Sequence, residues 1–166
     1  MKTALFASLL TLATPALADI TVEFSEGAPK DRFTFTNTSD CALGPATVTL
    51  DLATAPAGLI FDVTGEGAGV EVFQPFELVS GARNVTATPS VSDGQQTLAM
   101  GLSGLGAGES VAFTIDLDDT TSTRQITVSG SEIAGSSVSI ETERLAAAAI
   151  FTDKANAILR WSDCQS

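Results

Sequence analysis

From Val111 to Asp118 the chain alternates without a break. Val111, Phe113, Ile115 and Leu117 fall on one side, and Ala112, Thr114, Asp116 and Asp118 on the other. A period of two marks a β-strand with one buried face, because successive side chains leave opposite faces of the pleat. The polar run Asp119 to Thr123 then predicts a turn, and Ile126 and Val128 a returning strand. Val111 to Gly130 is therefore expected to form a β-hairpin with three aspartates at its mouth.

The same period recurs along the chain. Ile20, Val22 and Phe24 mark one strand, Phe33 and Phe35 a second, and Ala46, Val48, Leu50 and Leu52 a third. Leu59 to Val63, Val70 to Phe73, Phe76 to Val79, Asn84 to Thr88 and Gln96 to Leu102 are further strand segments. Stretches rich in Gly, Pro, Asn, Asp and Ser separate them, as turns require. Leu145 to Ala149 has high helix propensity. Its apolar positions nevertheless make a better strand face: Leu145, Ala147, Ala149 and Phe151 share one parity, and Ala155, Ala157, Leu159 and Trp161 the next, around a hairpin turn at Thr152 to Lys154. Two closing strands are expected there. The fold class that follows is all-β, a single antiparallel β-sandwich of immunoglobulin-like or jelly-roll type.

The first residues read as a targeting segment. Lys2 precedes an apolar run from Ala4 to Leu12, and Ala16-Leu17-Ala18 has the small-x-small form of a cleavage site. Residues 1–18 are expected to be a signal peptide and residues 19–166 the sandwich domain. Export would place the protein in the periplasm or outside the cell. Two cysteines, Cys41 and Cys164, lie 123 positions apart in the sequence. In an exported chain an even number of cysteines is expected to pair, here as one disulfide.

Charge and composition exclude several classes. Without Lys2 the chain carries 7 basic against 20 acidic residues, a net charge of −13. Such a surface repels nucleic acid and anionic lipid, so neither nucleic-acid binding nor membrane insertion is expected. There is no histidine, which removes the usual triad base, the commonest metal ligand and the neutral-pH acid–base group. There is no tyrosine and one tryptophan, few platforms for a sugar ring. A carboxylate-based hydrolase remains as the least favoured reading, and a non-enzymatic protein is expected.

Asp116, Asp118 and Asp119 are the candidate site. Asp116 and Asp118 share a strand face, about 6.5 to 7 Å apart along the chain. With the oxygens of Thr120 and Thr121 they form an oxygen-only set of the kind calcium accepts, although the spacing is not that of an EF-hand loop. The alternative is an exposed acidic turn that keeps a strand end soluble. Asp31, Asp62, Glu66 and Glu71 lie in or near other turns and are available to complete a site. Gly65-Glu66-Gly67-Ala68-Gly69 lacks the Lys-Ser/Thr and the helix of a phosphate loop. Asn37-Thr38-Ser39 and Asn84-Val85-Thr86 match glycosylation sequons. Lys30-Asp31-Arg32 reads as a solvated mixed-charge turn.

The blocks FSEGAPKDRFTFTNTSDC, GLIFDVTGEGAGVEVFQPFELVSG and FTIDLDDTTSTRQITVSGSEIAG resemble the small exported aggregation factor core proteins of marine alphaproteobacteria. The resemblance extends over about residues 19 to 164. It implies cell–cell or surface adhesion, by analogy with sponge aggregation factors, which work with calcium. It assigns no ligand or catalytic residue. The expected function is thus adhesion or protein binding at the cell surface, assisted by calcium, with a protein or cell-surface partner. The alternative is a periplasmic accessory module of an exported assembly.

Overall fold

A strand with one apolar row must cover that row, and two sheets facing each other cover all of them at once. In the computed structural model, which describes residues 18–67, 69, 72–121 and 127–161, the strands do this as a β-sandwich. They are β1 (Ala18–Ser25), β2 (Asp31–Asn37), β3 (Ala46–Asp51), β4 (Leu59–Phe61), β5 (Glu77–Ser80), β6 (Val85–Ala87), β7 (Thr97–Leu102), β8 (Ser110–Ile115), β9 (Leu117–Asp119), β10 (Ser137–Glu141), β11 (Ala146–Ile150) and β12 (Asn156–Trp161). One five-stranded sheet runs β12-β1-β2-β8-β5, and the other runs β11-β10-β3-β7-β6. Every strand pairing in them is antiparallel. A two-stranded ribbon, β4 with β9, completes the architecture.

The facing rows make one core. Phe24, Phe33, Phe35, Phe113 and Leu159 come from one sheet, and Val48, Leu50, Met100, Val138 and Ile140 from the other. Phe33 and Phe113 are direct partners in the β2–β8 register. Their rings stack at 5.3 Å, with Phe24 at 5.1 Å and Phe151 at 6.2 Å from Phe33. Rings at these separations add attraction beyond the area they bury.

The expected hairpin over Val111 to Gly130 does not form. The alternation holds to Ile115, but Asp116 interrupts the strand, and β9 then leaves its sheet to pair with β4. Residues 122–126, including Ile126, lie outside the described residues, and 127–129 form no strand although Val128 is buried. A polar run after alternating residues signals that the chain turns, not what it turns toward. The strand expected at Val70 to Phe73 is absent where described: Val72 and Phe73 are exposed and unpaired in any sheet. Strand β10, with Val138 and Ile140 pointing inward, has only two apolar residues and went unanticipated.

The tail is two strands, as its parity indicates. Ala147 and Ala149 turn inward while Ala146, Ala148 and Ile150 are exposed. Yet β11 and β12 do not pair with each other: the turn at Thr152 to Lys154 carries the chain from one sheet to the other. Residues 1–17, where the targeting segment is expected, lie outside the described residues. Among the described residues no helix is long and apolar enough to cross a membrane.

Truncating the central ring tests this account of the core. Phe33→Ala should destabilise the fold by about 3 to 5 kcal/mol, the usual cost of emptying a buried aromatic site. The measurement is the urea midpoint followed by far-UV circular dichroism. A loss below 1 kcal/mol would contradict the central place given to the ring.

Candidate functional site

Aspartates from three segments meet where β2 begins and β8 ends. Asp31 opens β2 and stands opposite Ile115. Asp116 interrupts β8 and β9, and Asp118 lies in β9 opposite Ile60. Asp62 follows β4, and its N–H donates to the Asp116 carbonyl at 3.1 Å. Gln74 closes the arrangement: its N–H donates to the Asp62 carbonyl and its own carbonyl accepts from the Asp116 N–H, both at 3.2 Å. These backbone bonds hold the side chains of Asp62 and Asp116 in one neighbourhood.

All these aspartates are buried: Asp31, Asp62, Asp116, Asp118 and also Asp119. The exposed-turn alternative is thereby corrected, because strand β4 and the loop after it cover the β9 side chains. Asp31 is likewise not part of a solvated turn. Its Oδ1 accepts the Gly27 N–H at 3.0 Å, while Lys30 pairs with Glu77.

Burial is the main influence on the cluster's charges. It pushes the Asp31 carboxyl up to about 7, against the pull of the Gly27 and Leu117 N–H groups and with help from Glu26 and Asp118. It pushes Asp62 up to about 7, reinforced by Asp93 and then Asp118. It pushes Asp116 up to about 8, reinforced by Asp118, Asp31 and Asp62. A carboxylate out of water and among others of its kind holds its proton far above the usual range.

The glycine run has a role that its phosphate-loop likeness does not suggest. A Cβ on Gly69 would lie 2.1 Å from Asp62 Cγ, and one on Gly67 2.0 Å from Asp93 Oδ2. The loop backbone therefore rests directly on two carboxyl groups, an approach open only to glycine. Asp93 fixes the start of the loop by accepting the Val63 N–H at 2.9 Å and the Thr64 N–H at 3.2 Å.

Of the three expected ligands, Asp116 and Asp118 join this cluster. Asp119 falls on the other parity of β9, opposite Leu59, and its Oδ1 accepts the Thr121 N–H at 3.3 Å. Of the auxiliary candidates, Asp31 and Asp62 are present, Glu66 is exposed, and Glu71 lies outside the described residues. Asp93 was not anticipated; its only sequence signal is the Asp-Gly pair at a turn. Among the described residues no group of three or more His, Cys, Asp or Glu side chains is placed to hold a metal ion.

Other expected sites resolve as follows. Cys164 lies outside the described residues, so only the Cys41 half of the expected disulfide can be placed. Cys41 sits in a loop held by Asn37, whose Nδ2 donates to the carbonyls of Cys41 at 2.7 Å and Leu105 at 2.8 Å. With its amide committed and fully buried, Asn37 is no glycan acceptor in the folded chain. Asn84 is buried too, its Nδ2 donating to Glu109 at 3.2 Å. A cleft of about 290 Å³ lies beside Trp161, lined also by Leu43, Pro45, Arg144 and Leu145.

No protein-family model matches the sequence, and none of the curated proteins does. Among solved structures, a family GH18 chitinase from Chromobacterium violaceum is similar at 19% identity and a TM-score of 0.36. The match covers 89% of this chain and 20% of that one, so the chain spans about a fifth of the chitinase's length. A likeness this low carries no argument about fold or activity.

The raised carboxyls predict a pH dependence with a definite sign. Between the ordinary value of 3.8 and about 7 to 8 the folded chain holds protons that the unfolded chain has released. These groups therefore contribute stability at low pH and lose it as pH rises through that window. In chelator-containing buffer the melting temperature should fall from pH 5 to pH 8.5, and Asp116→Asn should flatten the fall. A melting temperature that climbs over this range would contradict the assignment.

Proposed function

We propose that the chain is an exported, non-enzymatic adhesion module that binds a protein or cell-surface partner, with calcium assisting. The observation that carries this reading is the open edge of the sandwich at β11. Its outward positions are Ala146, Ala148 and Ile150, with Ile150 56% exposed, and no side chain of the strand is charged. Ile158, on the neighbouring edge strand β12, is also exposed. Edge strands of stable monomers usually carry charge or proline against strand addition. In a chain with a net charge of −12 an uncharged edge is the place where a protein partner can approach closely.

The sequence supports the same reading. The lack of histidine fits a non-enzyme, the N-terminal segment fits export, and the resemblance to aggregation factor core proteins fits adhesion. A soluble periplasmic pool, with nothing at the cell surface or in the medium, would favour the accessory-module alternative.

Beads coated with the chain from Asp19 onward should clump or bind the native cell surface, more strongly in millimolar calcium. Ala148→Lys should reduce binding several-fold while leaving the circular dichroism and the melting temperature close to wild type. Binding that is unchanged by a charge on β11 would remove that edge from the proposal. No clumping or surface binding in any condition would remove adhesion.

A further inference from the structure

The two large sheets have four edges, and three of them are blunted. Strands β5 and β6 have only four and three residues, and each shifts register against its neighbour, between Leu78 and Ser80 and between Val85 and Ala87. Strand β12 turns the charged Arg160 outward. Short length, irregular pairing and charge are the usual defences of an edge against strand addition. Strand β11 has none of them. Its five residues pair with β10 in unbroken register, and none is charged or proline.

The free backbone groups of β11 fall in a row. At one end of the β10–β11 pair the Phe151 N–H donates to the Ser136 carbonyl, and at the other the Thr142 N–H donates to the Leu145 carbonyl, both at 2.9 Å. Bonded and open pairs alternate along an antiparallel ladder, so Ala147 and Ala149 bond to β10. The N–H and C=O groups of Ala146, Ala148 and Ile150 then point away from it. Among the described residues no backbone group pairs with them.

We infer that β11 pairs with β11 of a second copy of this chain, antiparallel about a two-fold axis through Ala148, joining two five-stranded sheets into one. This inference names the partner of the edge used in the adhesion reading and rests on that reading. In this register Ala148 faces Ala148 of the second copy, and Ala146 of each copy faces Ile150 of the other. The exposed isoleucine is thus met by a small residue at both ends, and every free group of the row gains a bond. Charge agrees with the pairing. The turns on either side of β11 carry Glu143 with Arg144 and Asp153 with Lys154. Antiparallel pairing brings the first turn of one copy beside the second turn of the other, where the charges cancel. Two chains of net charge −12 can approach here without the repulsion their net charge otherwise imposes. So short a strand pair buries little area, so contact between free chains is weak. Many copies on two facing surfaces make it strong, as adhesion needs.

The test is sedimentation equilibrium of the chain from Asp19 onward, from micromolar to millimolar concentration. A reversible monomer–dimer equilibrium is expected. Ala148→Pro should weaken the dimer at least tenfold and leave the melting temperature close to wild type, because the N–H it removes faces the open edge and not β10. Ala148→Lys and Ala148→Glu each set like charges opposite one another and should also weaken it. Their equimolar mixture should regain association, because residue 148 faces itself in this register. The charged pair carries the test if Ala148→Pro does not fold. A wild-type chain that stays monomeric at millimolar concentration overturns the second copy as partner, and coated beads that still bind cells would then keep adhesion with a different partner. Undiminished dimerisation of Ala148→Pro overturns the edge, and a charged mixture that stays monomeric overturns the register. Dimers that respond to the variants as expected, with no clumping or surface binding by coated beads, would keep this contact and remove adhesion.

Discussion

The stacked pair Phe33 and Phe113 sets the register on which the acidic end depends. The two rings face each other across β2 and β8, and the pairing that joins them also places Asp31 opposite Ile115. A slip of β2 by one residue would turn Phe33 and Phe35 outward, away from the row of Val111, Phe113 and Ile115 on β8, because side chains alternate along a strand. The core does not permit that slip. Asp31 and Asp116 are consequently held near each other, out of water, by packing a few residues away. The cluster is a consequence of where the aromatic core stops.

The buried carboxyls are not equivalent. Asp31 receives the Gly27 and Leu117 N–H groups, so part of its lost hydration is replaced. Asp62 receives no donor among the described residues and is pressed against Asp93 and Asp118 instead. Hydrogen bonds to the ionised form lower a carboxyl's proton affinity, and neighbouring carboxylates raise it. Asp31 is therefore suited to fixing the start of β2, while Asp62 is left to keep its proton well above the usual carboxylate range. As pH rises through neutrality the folded state gives up part of its stability.

Much of the sandwich is legible in the sequence because its information is local. Ile20/Val22/Phe24 and Val111/Phe113/Ile115 each declare a strand and its inward face without reference to anything else. Leu145 to Trp161 is legible for the same reason, since parity outweighs alanine's helix propensity once Phe151, Leu159 and Trp161 are included. Pairing is not local. Asp119 to Thr123 indicates a turn, but that β9 joins β4 depends on Leu59 and Phe61, more than fifty positions earlier. The site divides in the same way. Asp116 and Asp118 are neighbours in sequence and stay neighbours in space. Asp31, Asp62 and Asp93 reach them only through the fold, and Asp119 leaves because one step along a strand changes its face.

The glycine loop shows how the site is joined to the rest of the sandwich. Gly67 adopts a φ of 141°, a backbone state side chains disfavour, and Gly69 lies against Asp62. Loop conformation and carboxyl position therefore define each other. From Asp62 the connection runs through Gln74, which is bonded to residues 62 and 116 at once, and two positions on to Phe76. Phe76 packs its ring 4.9 Å from Phe113. A change in the spacing of Asp62 and Asp116 must strain both Gln74 hydrogen bonds or move Gln74, and Gln74 cannot move far without disturbing Phe76. Tightly packed interiors resist such displacements. The aromatic core that places the carboxyls thus also limits how far they can separate.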